Sequence, residues 1–303
     1  MVELPWLWAA FTIVAAASQT ARNAMQRELI VSLGTLGATH VRFLFGFPFA
    51  LIFLAGVLVF TGMPLPRPGL AFWPWVFAGT VTQILATALM LAAMGERSFV
   101  VAIAYIKTEP VQVAVFGFLV LGDAFTLPMI IAILIATAGV ITMSVRRRGG
   151  AKWDALPTLL GLGSGAMFAL SAVSYRGGIL SLEGASFVMA ATFTLVVGLA
   201  MTASLLSLYL ALRDRVVLVA IVKAWRPSVF AGALGALASE FWFLAFALAT
   251  AASVRTLGLV EVLFAQAISS FVFKQPTSRR EGAGIVLLVI GVVLLIWARP
   301  KAG

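Results

Sequence analysis

The chain has 303 residues, 62% of them hydrophobic and only 11% charged, with 21 Lys and Arg against 11 Asp and Glu and a net charge of +10. A water-soluble globule does not reach that apolar fraction, so the composition describes a polytopic membrane protein. The basic residues lie in short segments between apolar runs and not along a groove interleaved with aromatics, which excludes nucleic-acid binding; the absence of cysteine excludes disulfide frameworks and thiolate metal sites.

A spanning helix needs about 17 to 25 predominantly apolar residues, and ten such stretches are predicted. Met1-Val2-Glu3 lacks the basic n-region of a signal peptide, so the first helix, residues 5–22, is expected to stay attached. It places Thr12, Gln19, Arg22 and Asn23 at i, i+7, i+10 and i+11, a polar stripe on one helical face that should look toward protein or water. The second, residues 36–60, opens with His40 and Arg42 and carries Pro48. Arg42 either snorkels to the headgroups or turns inward, and His40 reads as a satisfied polar residue because no second His exists to share a metal. The third, residues 72–94, sets Gln83 on a face with Gly79, Thr80 and Thr87.

The fourth stretch, residues 98–121, has its polarity in an unusual place: Tyr105-Ile106-Lys107-Thr108-Glu109-Pro110 falls near its middle. A charge at the bilayer centre costs about 3 kcal/mol on insertion scales, so Lys107 and Glu109 require a polar cavity or a partner. Pro110 removes a backbone donor and frees the carbonyl of Ile106, weakening the helix beside the carboxylate. On the helical wheel Tyr105, Glu109 and Gln112 share a face, whereas Lys107 points elsewhere, so Lys107 and Glu109 are not an intrahelical pair.

The fifth helix, residues 126–145, is uniformly apolar and ends at Arg146-Arg147-Arg148. The sixth, residues 155–176, carries Gly161 and Gly165, a small-xxx-small spacing that permits close helix approach. The seventh, residues 184–210, precedes a basic loop with Arg213, Arg215, Lys223 and Arg226. The eighth, residues 228–250, holds Glu240 and Trp242 near its middle; the ninth, residues 254–273, holds Glu261 and Gln266; the tenth, residues 282–297, is apolar. Trp6, Trp8, Trp73, Trp75, Trp153, Trp225 and Trp297 fall near helix ends and read as an interfacial belt, while Trp242 reads as core or as a stacking surface beside Glu240.

A shift of 152 residues, the separation of Glu109 and Glu261, carries all five spans of the first half onto those of the second without a gap. It also puts Gly46 on Gly198, Gly139-Val140 on Gly291-Val292, and the polar stripe of the first helix on Ser164, Ser171, Ser174 and Tyr175. An odd number of helices per repeat inverts the second half relative to the first, so residues 1–150 and 151–303 are expected to form two inverted five-helix repeats in an all-α integral membrane fold. Carriers built this way bind substrate near the midplane at the repeat interface.

Ten helices in two such halves, with Glu109-Pro110 in the fourth, Gly122-Asp123 closing it and Gly-Val at 139–140 and 291–292, resemble the drug/metabolite transporter superfamily, specifically its EamA-type two-repeat exporters. One departure is that Lys274-Gln275 stands where the first half has Gly122-Asp123. The resemblance implies a secondary carrier in the cell (inner or plasma) membrane that moves small metabolites such as amino acids, or drugs, often outward. Loop charge puts both termini outside by the positive-inside rule, whereas the family analogy puts them in the cytoplasm.

The expected substrate site is a midplane cavity lined by Tyr105, Glu109, Gln112, Glu240, Trp242 and Glu261, with Gln83, Lys107 and Gln19 as further polar candidates. A carboxylate in a dry environment is suited to carry a proton, which makes Glu109 and Glu261 the candidates for coupling to a proton or other ion gradient. The expected partners are a small-molecule substrate and the lipid bilayer, with no cofactor and no metal. The competing expectation is that the four central charges pair across helices and hold the fold together. A cationic substrate is favoured if Lys107 faces away from the cavity; a lone His40 argues against an integral-membrane enzyme, and a closed cavity would argue against a channel. No phosphate-binding Gly-Lys-Ser/Thr loop occurs, so direct ATP drive is not encoded in the chain.

Overall fold

The computed structural model describes residues 6–95, 106–144, 155–267 and 278–298, together with residues 270 and 274. Every regular element among them is helical: α1 (Leu7–Leu44), α2 (Gly46–Thr61), α3 (Phe72–Gly95), α4 (Glu109–Leu121), α5 (Leu127–Ser144) and α6 (Ala155–Leu180), then α7 (Phe187–Arg213), α8 (Arg215–Lys223), α9 (Trp225–Leu248), α10 (Ala251–Leu257), a 3-10 turn (Gly258–Val260), α11 (Glu261–Ala267) and α12 (Arg279–Trp297). Residues 98–105, Arg146 to Arg148, Lys152, Trp153 and Gln275 lie outside the described residues.

Among the described residues six stretches are long and apolar enough to cross a membrane: Leu36–Thr61, Phe72–Met90, Thr158–Leu180, Phe187–Arg213, Trp225–Leu248 and Arg279–Trp297. Glu109–Leu121 and Leu127–Met143 are shorter apolar helices. The chain is therefore a multi-pass membrane protein, and the ten expected spans are not matched one for one. The first two expected helices run into one another in α1, broken only at Gly34 (φ 66°, ψ 175°), a conformation that a residue without Cβ adopts at little cost. The expected ninth span is interrupted by the 3-10 turn before Glu261. The basic loop after the seventh is largely α8, whose start is capped by Asp214 accepting from the Val217 amide at 3.2 Å.

Two compact units divide the chain, each drawing on both halves of the sequence: Met1–Ile84 with Ser174–Ala249, and Leu85–Val173 with Thr250–Gly303. In the first unit α1 buries the face bearing Thr12, Ala15, Ala16 and Arg22 and leaves Ile13 and Val14 outward. Its later part meets α9, where Gly232 admits the backbone of Phe45: a Cβ there would lie 2.6 Å from the Phe45 carbonyl carbon. Leu29, Leu33, Val41, Leu210, Ile221 and Ala231 form one apolar cluster that α8 covers with Val217 and Leu218. Trp6, Trp73 and Trp225 are exposed, as an interfacial role requires, but Trp8 is only 2% exposed and belongs to the core.

In the second unit α5 and α12 pack antiparallel with their backbones almost in contact, because the crossing is made of glycine. A Cβ at Gly139 would lie 2.6 Å from the Leu288 nitrogen, and one at Gly291 would lie 2.5 Å from the Ala136 nitrogen. These two contacts exchange under the 152-residue shift, Gly139 becoming Gly291 and Ala136 becoming Leu288. Ser164 of α6 donates to the carbonyl of Ala86 in α3 at 2.8 Å, the approach expected of that glycine-rich face. The departure at Lys274-Gln275 is smaller than its residue types imply. Gly122 closes α4 with φ 68°, and Lys274, its equivalent under the same shift, also adopts a left-handed φ of 50°.

Candidate functional site

The second unit holds three of the four central charges foreseen from the sequence. Glu109 begins α4 directly after a turn at Lys107 and Thr108, with Pro110 in the first helical turn, where its missing N–H has no intrahelical acceptor to lose. Glu261 begins α11 directly after the 3-10 turn 258–260. Both carboxylates therefore stand at helix N-termini that follow a break, and under the 152-residue shift the turn at 107–108 falls on 259–260, within the 3-10 turn. A helix N-terminus presents unpaired N–H groups and the positive end of the peptide dipole, which favours a carboxylate there.

Each carboxylate is answered by a cation from the other half of the sequence. Arg255 of α10 donates from Nε to Glu109 Oε1 at 2.7 Å and from Nη2 to Glu109 Oε2 at 2.7 Å, a two-bond fork. Lys107 donates from Nζ to Glu261 Oε1. Arg255 also lies within electrostatic reach of Glu261, so the four groups form one electrically balanced cluster. Gln112 is occupied locally, donating to Thr108 Oγ1 at 2.9 Å. Lys107 and Glu109 take different partners. Arg255 is the residue that sequence reasoning missed: at the start of an expected span a basic side chain reads as a topology signal. The available clue was that Glu109 needed a counter-charge and Arg255 stands six residues before Glu261.

The first unit carries the others. Glu240 of α9 is buried; Thr192 of α7 donates to its Oε1 at 2.5 Å, while Oε2 has no hydrogen-bond partner among the described residues. Trp242 donates from Nε1 to Gln19 Oε1 at 3.2 Å and stacks on Phe246 with centroids 6.3 Å apart, so Gln19 and Trp242 are brought together. Gln83 is half-buried on α3. His40 is fully buried with Nε2 2.9 Å from Ser207 Oγ, but against the expectation of a satisfied polar residue its Nδ1 has no hydrogen-bond partner among the described residues. Tyr175 was reached from the sequence only as the end of the repeated polar stripe, yet it is central here. A Cβ at Gly79 or at Gly198 would lie 2.9 Å from its ring, Phe243 packs on it at 4.9 Å, and its hydroxyl is 3.3 Å from Thr80 Oγ1. Tyr105 lies outside the described residues. Among the described residues no group of three or more His, Asp or Glu is placed to hold a metal ion.

With this geometry in place, comparison with known proteins gives a family match over part of the chain and a fold. Residues 6–145 match the model of the EamA-like transporter family. No curated protein matches the chain. A solved structure described only as a crystal structure of a protein is similar with a TM-score of 0.73, at 13% identity, over 99% of this chain and 98% of that one; at such identity the likeness is one of fold.

Proposed function

We propose that this chain, whose residues 6–145 match the model of the EamA-like transporter family, is a secondary active transporter of the cell (inner or plasma) membrane. In this reading it exports small metabolites, amino acids or related zwitterions, by alternating access between two inverted five-helix repeats, residues 1–150 and 151–303. The observation that carries the reading is the pair of carboxylates at broken helices, each held by a cation from the other half of the sequence. Intramembrane charges are expensive and default to function, and helix interruptions at corresponding positions of two halves are where carriers of this class place their sites. The exchange of the Gly139 and Gly291 contacts under one shift supports the repeat.

Glu109 and Glu261 are the coupling groups in this reading. A proton arriving on either carboxylate removes the negative member of an ion pair and loosens Arg255 or Lys107, a discrete local change that a gradient can drive. Tyr105, Gln112, Gln83, Gln19, Glu240 and Trp242 are the remaining substrate-site candidates. A second reading, export of cationic drugs or amphiphiles, is favoured by one observation: Glu240 keeps one carboxylate oxygen without a hydrogen-bond partner among the described residues. The test is efflux from proteoliposomes loaded with an amino-acid mixture, measured with and without a pH gradient. Glu109→Gln and Glu261→Gln are expected to abolish the response to the gradient; if both variants transport with unchanged pH dependence, the coupling assignment is wrong.

A further inference from the structure

The first unit contains an arrangement of the opposite kind, two cations side by side. Arg22 and Arg42, at separate points of α1, both lie against Gly235 of α9: a Cβ at Gly235 would lie 3.4 Å from Arg22 Cδ and 3.5 Å from Arg42 Cβ. Arg22 is buried and Arg42 half-buried, and the two stand within electrostatic reach of each other, where like charges repel. Arg22 is anchored by donating from Nη2 to Asn23 Oδ1 at 2.7 Å. Arg42 makes no ion pair among the described residues; its guanidinium lies over the Phe43 ring, 4.3 Å from the centroid. Arg42 also falls within electrostatic reach of Tyr175, whose ring is wedged between Gly79 and Gly198 in the interiors of two spans, Phe72–Met90 and Phe187–Arg213. It is thus turned into the unit. The Tyr175 hydroxyl meets Thr80 and Thr202, and Gly235, having no side chain, lets both arginine stems approach the α9 backbone.

We infer that Arg22, Arg42 and Tyr175 bind the carboxylate of the transported metabolite. Planar guanidinium forks match the two oxygens of a carboxylate, a phenol supplies a further donor, and an anion between the arginines replaces their repulsion by attraction. The inference rests on the export reading above and deepens it: it adds to that reading a site for the acidic end of a zwitterion, on cations that are not spent in the Arg255–Glu109 and Lys107–Glu261 pairs.

The test uses the full chain purified in detergent and follows thermal unfolding with leucine, with isopentylamine, which lacks the carboxylate, with 4-methylpentanoate, which lacks the ammonium group, and with inorganic phosphate; other amino acids are taken with the matching amine and acid. Carboxylate-bearing probes are expected to stabilise the protein and amines are not. Arg42→Gln is expected to weaken the carboxylate about tenfold or more, Arg42→Lys less because it keeps the charge, and Tyr175→Phe by a few-fold. Arg42→Gln should also raise the melting temperature of the ligand-free protein, since one of two repelling cations is gone. Amines that stabilise as well as acids, phosphate binding in preference to every carboxylate, or unchanged carboxylate affinity in a monodisperse Arg42→Gln or Arg42→Lys protein would each overturn the site. Efflux keeps the two claims apart. Amino-acid export indifferent to Arg42→Gln removes the site and leaves the export reading, whereas Arg42-dependent carboxylate binding without export of any amino acid removes the export reading and leaves the site.

Discussion

Replacing Glu109 by Gln leaves Arg255 facing an amide in place of a carboxylate, and replacing Arg255 by Met leaves Glu109 as the orphan. The pair is well shielded, with side-chain exposures of 20% for Arg255 and 11% for Glu109, and it makes two bonds of 2.7 Å. Removing one partner of such a pair costs about 3 to 5 kcal/mol, chiefly through the uncompensated charge left behind, whereas removing both is close to neutral. Partial exposure puts the expectation at the lower end, about 3 kcal/mol for either single change. The double variant Glu109→Gln with Arg255→Met should recover most of that loss, because Lys107 and Glu261 still balance each other. Equilibrium unfolding of wild type, both singles and the double in one detergent closes the cycle. Independent sites add to within about 0.5 kcal/mol, so a double variant that costs the sum of its singles would refute the claim that these residues act as a pair.

Other consequences can be checked with the same preparation. Lys274→Gly relieves a left-handed side-chain conformation and should stabilise the protein by about 1 kcal/mol, read as a higher midpoint of unfolding. Gly139→Ala and Gly291→Ala each drive a methyl into the backbone of the facing helix and should lower stability by about 1 to 3 kcal/mol, by similar amounts if their contacts are equivalent. Trp242→Phe keeps the stack on Phe246 but removes the bond to Gln19, with an expected loss of about 1 kcal/mol in unfolding free energy.

Much of the helical framework is legible along the chain because membrane helices announce themselves by apolar length. The stop at Gly122 is equally local, since a left-handed residue is usually glycine. Lys274 shows the limit of that rule: the same backbone conformation recurs there without its usual residue type. Trp8 was expected at the interface with its neighbour Trp6. Two residues apart on a helix the rings face different ways, and the packed face of α1 takes Trp8 inward. Arg42 had two readings that composition could not separate, and only Gly235, Phe43 and Tyr175 around it turn it inward.

By itself the sequence determined that the chain lives in a membrane, where its polar positions fall within the apolar runs, and that Glu109 and Glu261 stand one 152-residue shift apart. Each of these depends on residue type and spacing along a single helix. The tertiary structure alone decided which cation meets which carboxylate, because the partners are 146 and 154 positions apart and are chosen by the packing of α4, α10 and α11. That choice turns four separately costly charges into a balanced cluster in one unit; in the other, packing against Gly235 of α9 sets Arg22 beside Arg42.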